Sequence, residues 1–207
     1  MTTALCFDLD GTLLRLDRPY DELLAEAFEA ELGTSDEAMI EAYEAAFVAA
    51  FKRCDPDPVG TAMAAALEAG DREDAELDAL VEARLAAEQR HTSVPPGTRE
   101  SLDALGADHD LAVITNGPTE WQRAKLDHHD LTGHFETVVT SAGVGAHKPD
   151  PAPFEAAKER LDAEEFVMVG DDYEADVEGA RAAGFIPVHV EDSEGTPDFW
   201  ATLRAMI

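Results

Sequence analysis

The sequence predicts an α/β fold, a parallel sheet with helices on both faces, interrupted just after its first strand by a helical insertion. Three observations predict it. A short apolar run, Ala4-Leu5-Cys6-Phe7, opens the chain as a buried strand would. A long stretch from about Asp17 to Arg90 then carries apolar residues at helical spacing. From His91 onward four apolar runs, Leu111–Ile114, Thr137–Val139, Phe166–Val169 and Ile186–Val190, alternate with helical stretches, and that alternation implies a parallel sheet. Residues 1–16 and 91–207 are thus expected to form an α/β core, with 17–90 as the insertion.

Within the insertion, Leu24, Phe28 and Leu32 recur along one helical face, and Gly33 is a plausible stop. Ser35 is placed to cap a second helix with the stripe Ile40, Tyr43, Phe47 and Phe51. Asp55-Pro56-Asp57-Pro58 breaks it. An Ala-rich segment runs to Gly70, and Leu77, Leu80, Val81 and Leu85 mark a further helix. These stripes serve packing, and the segment holds no catalytic cluster of its own. In the second part, Pro95-Pro96-Gly97 forms a loop and Thr98 to Leu105 a short helix. Pro187 cannot donate to a ladder, so the last strand is expected at a sheet edge.

Composition narrows the function. Asp and Glu number 45 against 15 Lys and Arg, a formal net charge of -30. Nucleic acid and anionic membrane surfaces need basic patches and are poor partners for this chain. No apolar run approaches the ~20 residues that span a bilayer. The N-terminus lacks the basic-then-apolar pattern of a signal peptide. Cys6 and Cys54 are most simply free thiols in a reducing cytoplasm. The acid-rich, lysine-poor pattern resembles cytosolic proteins of extreme halophiles, where molar salt shrinks the Debye length to ~3 Å and self-repulsion is tolerable.

The chemistry gathers at strand ends. Asp8 and Asp10, two residues apart after the first run, can turn toward one spot, and Gly11 permits a sharp turn straight after them. Such a pair offers a nucleophile and a proton-transfer group. Thr115-Asn116-Gly117 follows the second run, and its hydroxyl, amide and backbone N–H groups suit phosphoryl oxygens. Gly145-Ala146-His147-Lys148-Pro149-Asp150-Pro151 follows the third. Lysine is a point charge suited to phosphate, and only Lys52, Lys125, Lys148 and Lys158 are lysines here. Gly170-Asp171-Asp172-Tyr173-Glu174-Ala175-Asp176 follows the fourth, and clustered acids suit Mg²⁺, which takes oxygen ligands.

The order DxDGTL, TNG, KPDP and GDDxxxD resembles the four motifs of the haloacid dehalogenase-like hydrolase superfamily, over nearly the whole chain. The insertion resembles the helical first cap type of that family. Thr115 to Thr119 with Gly145 to Pro149 is most similar to its small-phosphate and nucleotidase branches. The resemblance implies a Rossmann-like sheet of order 5-4-1-2-3 with Asp8 on the central strand. It also implies that Asp8 attacks phosphorus and becomes an aspartyl phosphate, and that Asp10 protonates the leaving oxygen and then deprotonates water. Thr115 and Lys148, with Asn116 beside them, would bind the phosphoryl group. Asp8, Asp171 and the backbone carbonyl of Asp10 would hold Mg²⁺, with Asp176 supporting Lys148 or the metal shell. Asp172 stands where many relatives carry Ser or Thr, and an outward-facing surface acid is favoured over a role near the metal. The cations are physically required, since like charges at ~4 Å repel by about 4 kcal/mol at an effective dielectric near 20.

The expectation is a cytoplasmic, Mg²⁺-dependent phosphatase acting on a small phosphorylated metabolite, its oligomeric state and substrate open. A 2-haloacid dehalogenase, the nearest rival, lacks the second acid of the first motif and uses no metal. A phosphomutase uses the same carboxylate pair and differs mainly in excluding water. A phospho-receiver signalling module gathers similar residues but needs neither a helical cap nor a general acid at the position of Asp10.

Overall fold

The computed structural model describes residues 2–72, 75–191 and 199–207. The chain divides into two compact units, Met1–Arg15 with Val94–Ile207, and Leu16–Ser93.

Among its described residues the first unit is built on five parallel strands. β1 (Thr3–Phe7) is followed by the two-residue β2 (Arg15–Leu16) and β3 (Thr92–Ser93), which pair as a separate ribbon where the chain passes between units. The main sheet continues with β4 (Asp110–Thr115), β5 (Thr137–Thr140), β6 (Glu165–Gly170) and β7 (Ile186–His189), in the spatial order β5-β4-β1-β6-β7. Counted among the sheet's own strands, this is the expected 5-4-1-2-3 order. β1 pairs with β4 through Ala4↔Asp110 and with β6 through Thr3↔Glu165. Pro187 sits opposite Met168 on the edge strand β7, where a missing donor costs no ladder bond on its outer side.

Alternate residues of β1 feed two cores, as the period of a strand requires. Leu5 and Phe7 join Val113, Val167, Leu126 and Trp200 on one face. Ala4 and Cys6 join Ile114, Met168, Phe154, Ala180 and Phe185 on the other. With both faces covered the strands read as continuous apolar runs, which is why they were visible in the sequence.

Among its described residues the second unit carries four helices, α1 (Tyr20–Leu32), α2 (Glu37–Lys52), α3 (Pro58–Ala69) and α4 (Leu77–His91). Within it α2 packs on α3 and α1 on α4. Helix α1 stops at Gly33, whose φ of 68° is left-handed, as the sequence led one to expect. The cap of α2 is Asp36, whose side chain accepts from Ala38 N–H, rather than the expected Ser35. Both residue types cap well, but a carboxylate also gains from the positive end of the helix.

The helices of the first unit are α5 (Thr98–Gly106), α6 (Thr119–His128), α7 (Ser141–Val144), α8 (Ala152–Arg160), α9 (Gly179–Ala182) and α10 (Phe199–Met206). Residues Tyr173–Glu178 form a π-helical turn ahead of α9.

Candidate active site

Four loops at the C-terminal ends of β1, β4, β5 and β6 converge in the first unit, where ligands of open parallel sheets are held. They line a cavity of about 200 Å³ with Asp8, Asp10, Thr115, Asn116, Lys148 and Asp171 among its walls. That is below the ~300–1,000 Å³ of pockets for drug-sized ligands, and a phosphoryl group with a hydrated ion is the scale that fits.

Asp8 extends β1 by one residue, its N–H bonding to the Val169 carbonyl at 2.8 Å. The chain then turns tightly, with Leu13 and Leu14 donating to the Leu9 carbonyl and Gly11 to that of Leu14. Gly11 has φ of 90°, and a Cβ there would collide with the Asp171 carboxylate. Glycine is needed twice over, for the conformation and for the approach of the two motifs.

Lys148 is buried, and its Nζ donates to Asp8 Oδ1 at 2.7 Å, Asp176 Oδ1 at 2.6 Å and the Ile114 carbonyl at 2.7 Å. The three donors of an ammonium are accounted for. Burial pushes the Asp8 carboxyl up to about 7 against the pull of Lys148. Asp176 is likewise raised by burial, opposed by Lys148. Burial works to strip the proton from Lys148, but Asp8 and Asp176 outweigh it and hold the ammonium above its ordinary range.

Asn116 lines the cavity and at the same time joins two of its loops. Its Oδ1 accepts from Lys148 N–H at 2.8 Å and its Nδ2 donates to the Lys148 carbonyl at 3.1 Å, so it staples the second and third loops together. Asp172 is exposed and lines the cavity, and its carboxylate accepts from Ala175 N–H at 2.9 Å and caps the π-helical turn. Its own N–H donates to Asp176 Oδ2 at 3.1 Å. With Oδ1 on Lys148 and Oδ2 on that N–H, Asp176 orients its neighbours from the cavity wall.

Two residues went unnoticed in the sequence. Lys125 Nζ donates to Asp10 Oδ1 at 2.5 Å, and Gln122 Nε2 donates to Asp10 Oδ2 and to Thr115 Oγ1, each at 2.8 Å. The scarcity of lysine that singles out Lys148 applies equally to Lys125, and was the available signal.

The residues fit a hard divalent cation. Asp8, Asp171 and Asp176 each present a carboxylate oxygen, all within 4.8 Å of one another. Asp171 is exposed and oriented by Thr12 Oγ1, which donates to its Oδ1 at 2.9 Å. An all-oxygen set with one solvent-facing member suits Mg²⁺, which keeps several waters. Each oxygen of Asp176 already accepts one hydrogen bond, whereas Asp8 and Asp171 each keep, among the described residues, one oxygen that accepts none, so these two are the readier ligands.

A parallel sheet with an acid pair at the end of its central strand, a buried lysine and an oxygen-rich cation site defines a class of group-transfer enzyme. Residues 2–184 match the haloacid dehalogenase-like hydrolase family, and the chain belongs to that family. It is 33% identical to the ribulose-1,5-bisphosphate 5-phosphatase of Halopiger xanaduensis, over 94% of this chain and 87% of that one. It is 36% identical to a phosphoglycolate phosphatase of Rhodospirillum rubrum, over 92% of this chain and 79% of that one. In structure it resembles a 2-haloacid dehalogenase of Pseudomonas syringae, with a TM-score of 0.77, 24% identity and coverage of 100% and 98% of the two chains. At that identity the last likeness speaks for the fold alone.

Proposed function

We propose that this chain, a phosphoric monoester hydrolase, is a Mg²⁺-dependent phosphatase that acts on a small soluble monoester through an aspartyl phosphate on Asp8. The observation that carries the reading is Asp8 itself, a buried carboxylate at the sheet's switch point, held by Lys148 and adjoining Asp171. Asp10, two residues on, supplies the proton-transfer group that a dehalogenase does without. The names of the two relatives support a small phosphorylated sugar or acid as substrate class.

In the first step an Asp8 carboxylate oxygen bonds to phosphorus and the bond from phosphorus to the ester oxygen breaks. That oxygen leaves with its electron pair and takes a proton from Asp10. In the second step Asp10, now a carboxylate, takes a proton from water as the water oxygen bonds to phosphorus. The bond from phosphorus to Asp8 breaks and its electron pair returns to the carboxylate. Lys148 offsets the charge of Asp8 throughout, and Thr115 is placed to bind a phosphoryl oxygen. Asp8, Asp171 and the carbonyl of Asp10 would hold Mg²⁺, which would supply charge neutralisation between the two anions that must meet.

The acidic composition supports a cytoplasmic protein of a salt-rich cell. Among the described residues, no helix is long and apolar enough to cross a membrane.

The test is a panel of phosphate monoesters, including phosphoglycolate, ribulose bisphosphate and nucleoside monophosphates, assayed with Mg²⁺ in molar salt. Release of phosphate is expected, lost on chelation, restored by Mg²⁺, and abolished in Asp8→Ala. Hydrolysis that survives either chelation or Asp8→Ala overturns the reading.

A further inference from the structure

Helix α6 carries two buried donors whose partner is the proton-transfer acid. Lys125 is 1% exposed and Gln122 is 2% exposed, and they stand one helical turn apart on the inner face of α6. Between them they grip both oxygens of Asp10, Lys125 at Oδ1 and Gln122 at Oδ2, while Gln122 also reaches the Thr115 hydroxyl. A buried ammonium is costly unless paired, so Lys125 is an expensive residue to keep at this place for packing alone.

We propose that Lys125 and Gln122 are positioning residues, which lock the Asp10 carboxyl group in the orientation from which it passes protons to and from the reacting oxygens. The inference rests on Asp10 being the acid and base of the reaction proposed above. An aspartate has two side-chain torsions, and one hydrogen bond leaves it free to swing about that contact. Two donors, one on each oxygen and both from the same helix, remove that freedom. Each carboxyl oxygen has two lone-pair positions, so one donor on each leaves a site for the travelling proton. The shared bond to Thr115 keeps the proton donor and a phosphoryl-binding hydroxyl in register, and proton transfer is sensitive to misplacement of that order.

The need for the Asp10 proton differs between leaving groups, which separates positioning from mere structure. An alkoxide leaves poorly without a proton, whereas 4-nitrophenolate leaves readily as the anion. The experiment compares wild type, Lys125→Met, Lys125→Arg, Gln122→Leu and Asp10→Asn in rapid-quench first-turnover assays with Mg²⁺. The substrates are 4-nitrophenyl phosphate and the alkyl phosphate that the wild type hydrolyses fastest in the panel. Lys125→Met is expected to slow first-turnover release of the alcohol about 10²-fold, within the range of a lost acid–base contribution. First-turnover release of 4-nitrophenolate should change less than about threefold, as follows from a barrier the proton does not share. A burst should then appear with 4-nitrophenyl phosphate, because release of phosphate from Asp8 still needs Asp10 as base. The dissociation constant read from the concentration dependence of the first-turnover rate should stay near that of the wild type for both substrates, and Lys125→Arg should recover part of the loss.

Equal first-turnover losses on the two substrates, or no loss on either while Asp10→Asn is crippled, overturns the positioning role and leaves the phosphatase reading intact. An Asp10→Asn protein as fast as wild type on the alkyl phosphate overturns the acid–base reading and the inference with it. Should Lys125→Met fail to fold, Gln122→Leu leaves the charge pair in place and carries the same comparison, with the same outcome deciding it.

Discussion

Tyr43 shows how far a single side chain in the helical unit is set by its surroundings. It is 6% exposed on α2, stacked on Phe47 with ring centroids 5.8 Å apart. Burial pushes its phenol from an ordinary 10.0 up to about 12; Arg84 opposes the shift, while Glu88 and Asp57 add to it. The unfolded chain therefore gives up this proton before the folded one does. Stability that is complete below pH 10 is lost as pH rises toward 12, by about 1.4 kcal/mol per pH unit once the unfolded phenol has ionised. Tyr43→Phe removes the group. Urea unfolding of wild type and variant between pH 8 and 11 is expected to give a stability difference that is constant up to about pH 9.5 and then shifts in favour of the variant. A difference flat over the whole range would mean that Tyr43 meets solvent in the folded protein. Residues of this kind mark the limit of sequence reading. Tyr43 was legible as a member of an apolar stripe, but the ion pair of Arg84 with Glu88, at 3.0 Å and buried, was not. Asp10 was legible from its motif, whereas Gln122 and Lys125 lie 112 and 115 residues away from it along the chain. No local spacing announces a partnership that only the crossover connections create.

At the scale of elements, strands and loops were more legible than helix ends. The five sheet strands stand out because burial on both faces turns them into apolar runs, and the site loops because each carries polar residues directly after such a run. The cap of α2 fell one residue from its expected place because Ser35 and Asp36 are adjacent and both competent. The π-helical turn at Tyr173–Glu178 has no composition cue, since it arises where Asp172 and Asp176 are both tied to the site. One contact between elements has a measurable consequence. Gly179, at the start of α9, lies so close to the loop after Lys148 that a Cβ would meet Pro149 Cα at 2.8 Å and Phe154 Cε2 at 3.2 Å. The first of these is backbone and cannot rotate away. Gly179→Ala must therefore push apart α9 and the loop that sets Lys148 between Asp8 and Asp176. Overpacking of this kind costs about 1–3 kcal/mol, to be read from thermal or denaturant melts. The same displacement is expected to lower kcat more than it raises KM, because it moves Lys148 relative to Asp8, the proposed nucleophile. Unchanged melting with unchanged kcat would show that the loop relaxes freely.

At the scale of the whole molecule, charge is the dominant feature. A formal net charge of -30 on 207 residues is a repulsion that salt at 0.1 M, with a Debye length of ~10 Å, screens only in part. Few cations are left to offset it, since Lys125 and Lys148 are buried in the site. The remaining ion pairs are mostly exposed, such as Arg18 with Glu22 at 3.9 Å and Lys158 with Glu155 at 2.9 Å, and contribute little each. The folded state thus concentrates a repulsion that the expanded chain relieves, and screening favours the folded state. Thermal melts across a potassium chloride series should show a midpoint that rises from 0.1 M into the molar range. The steepest gain is expected at the low end, because the Debye length falls from ~10 Å at 0.1 M to ~3 Å at 1 M. Sodium chloride should act similarly over that first interval if screening is the cause, whereas ordered cation binding would separate the two salts. Replacing several exposed glutamates of α1 and α2 by glutamine should flatten the curve while leaving kcat in molar salt unchanged, since none of them lines the cavity. A midpoint that is level or falls with salt would refute the account of the charge as an adaptation to a salt-rich cell.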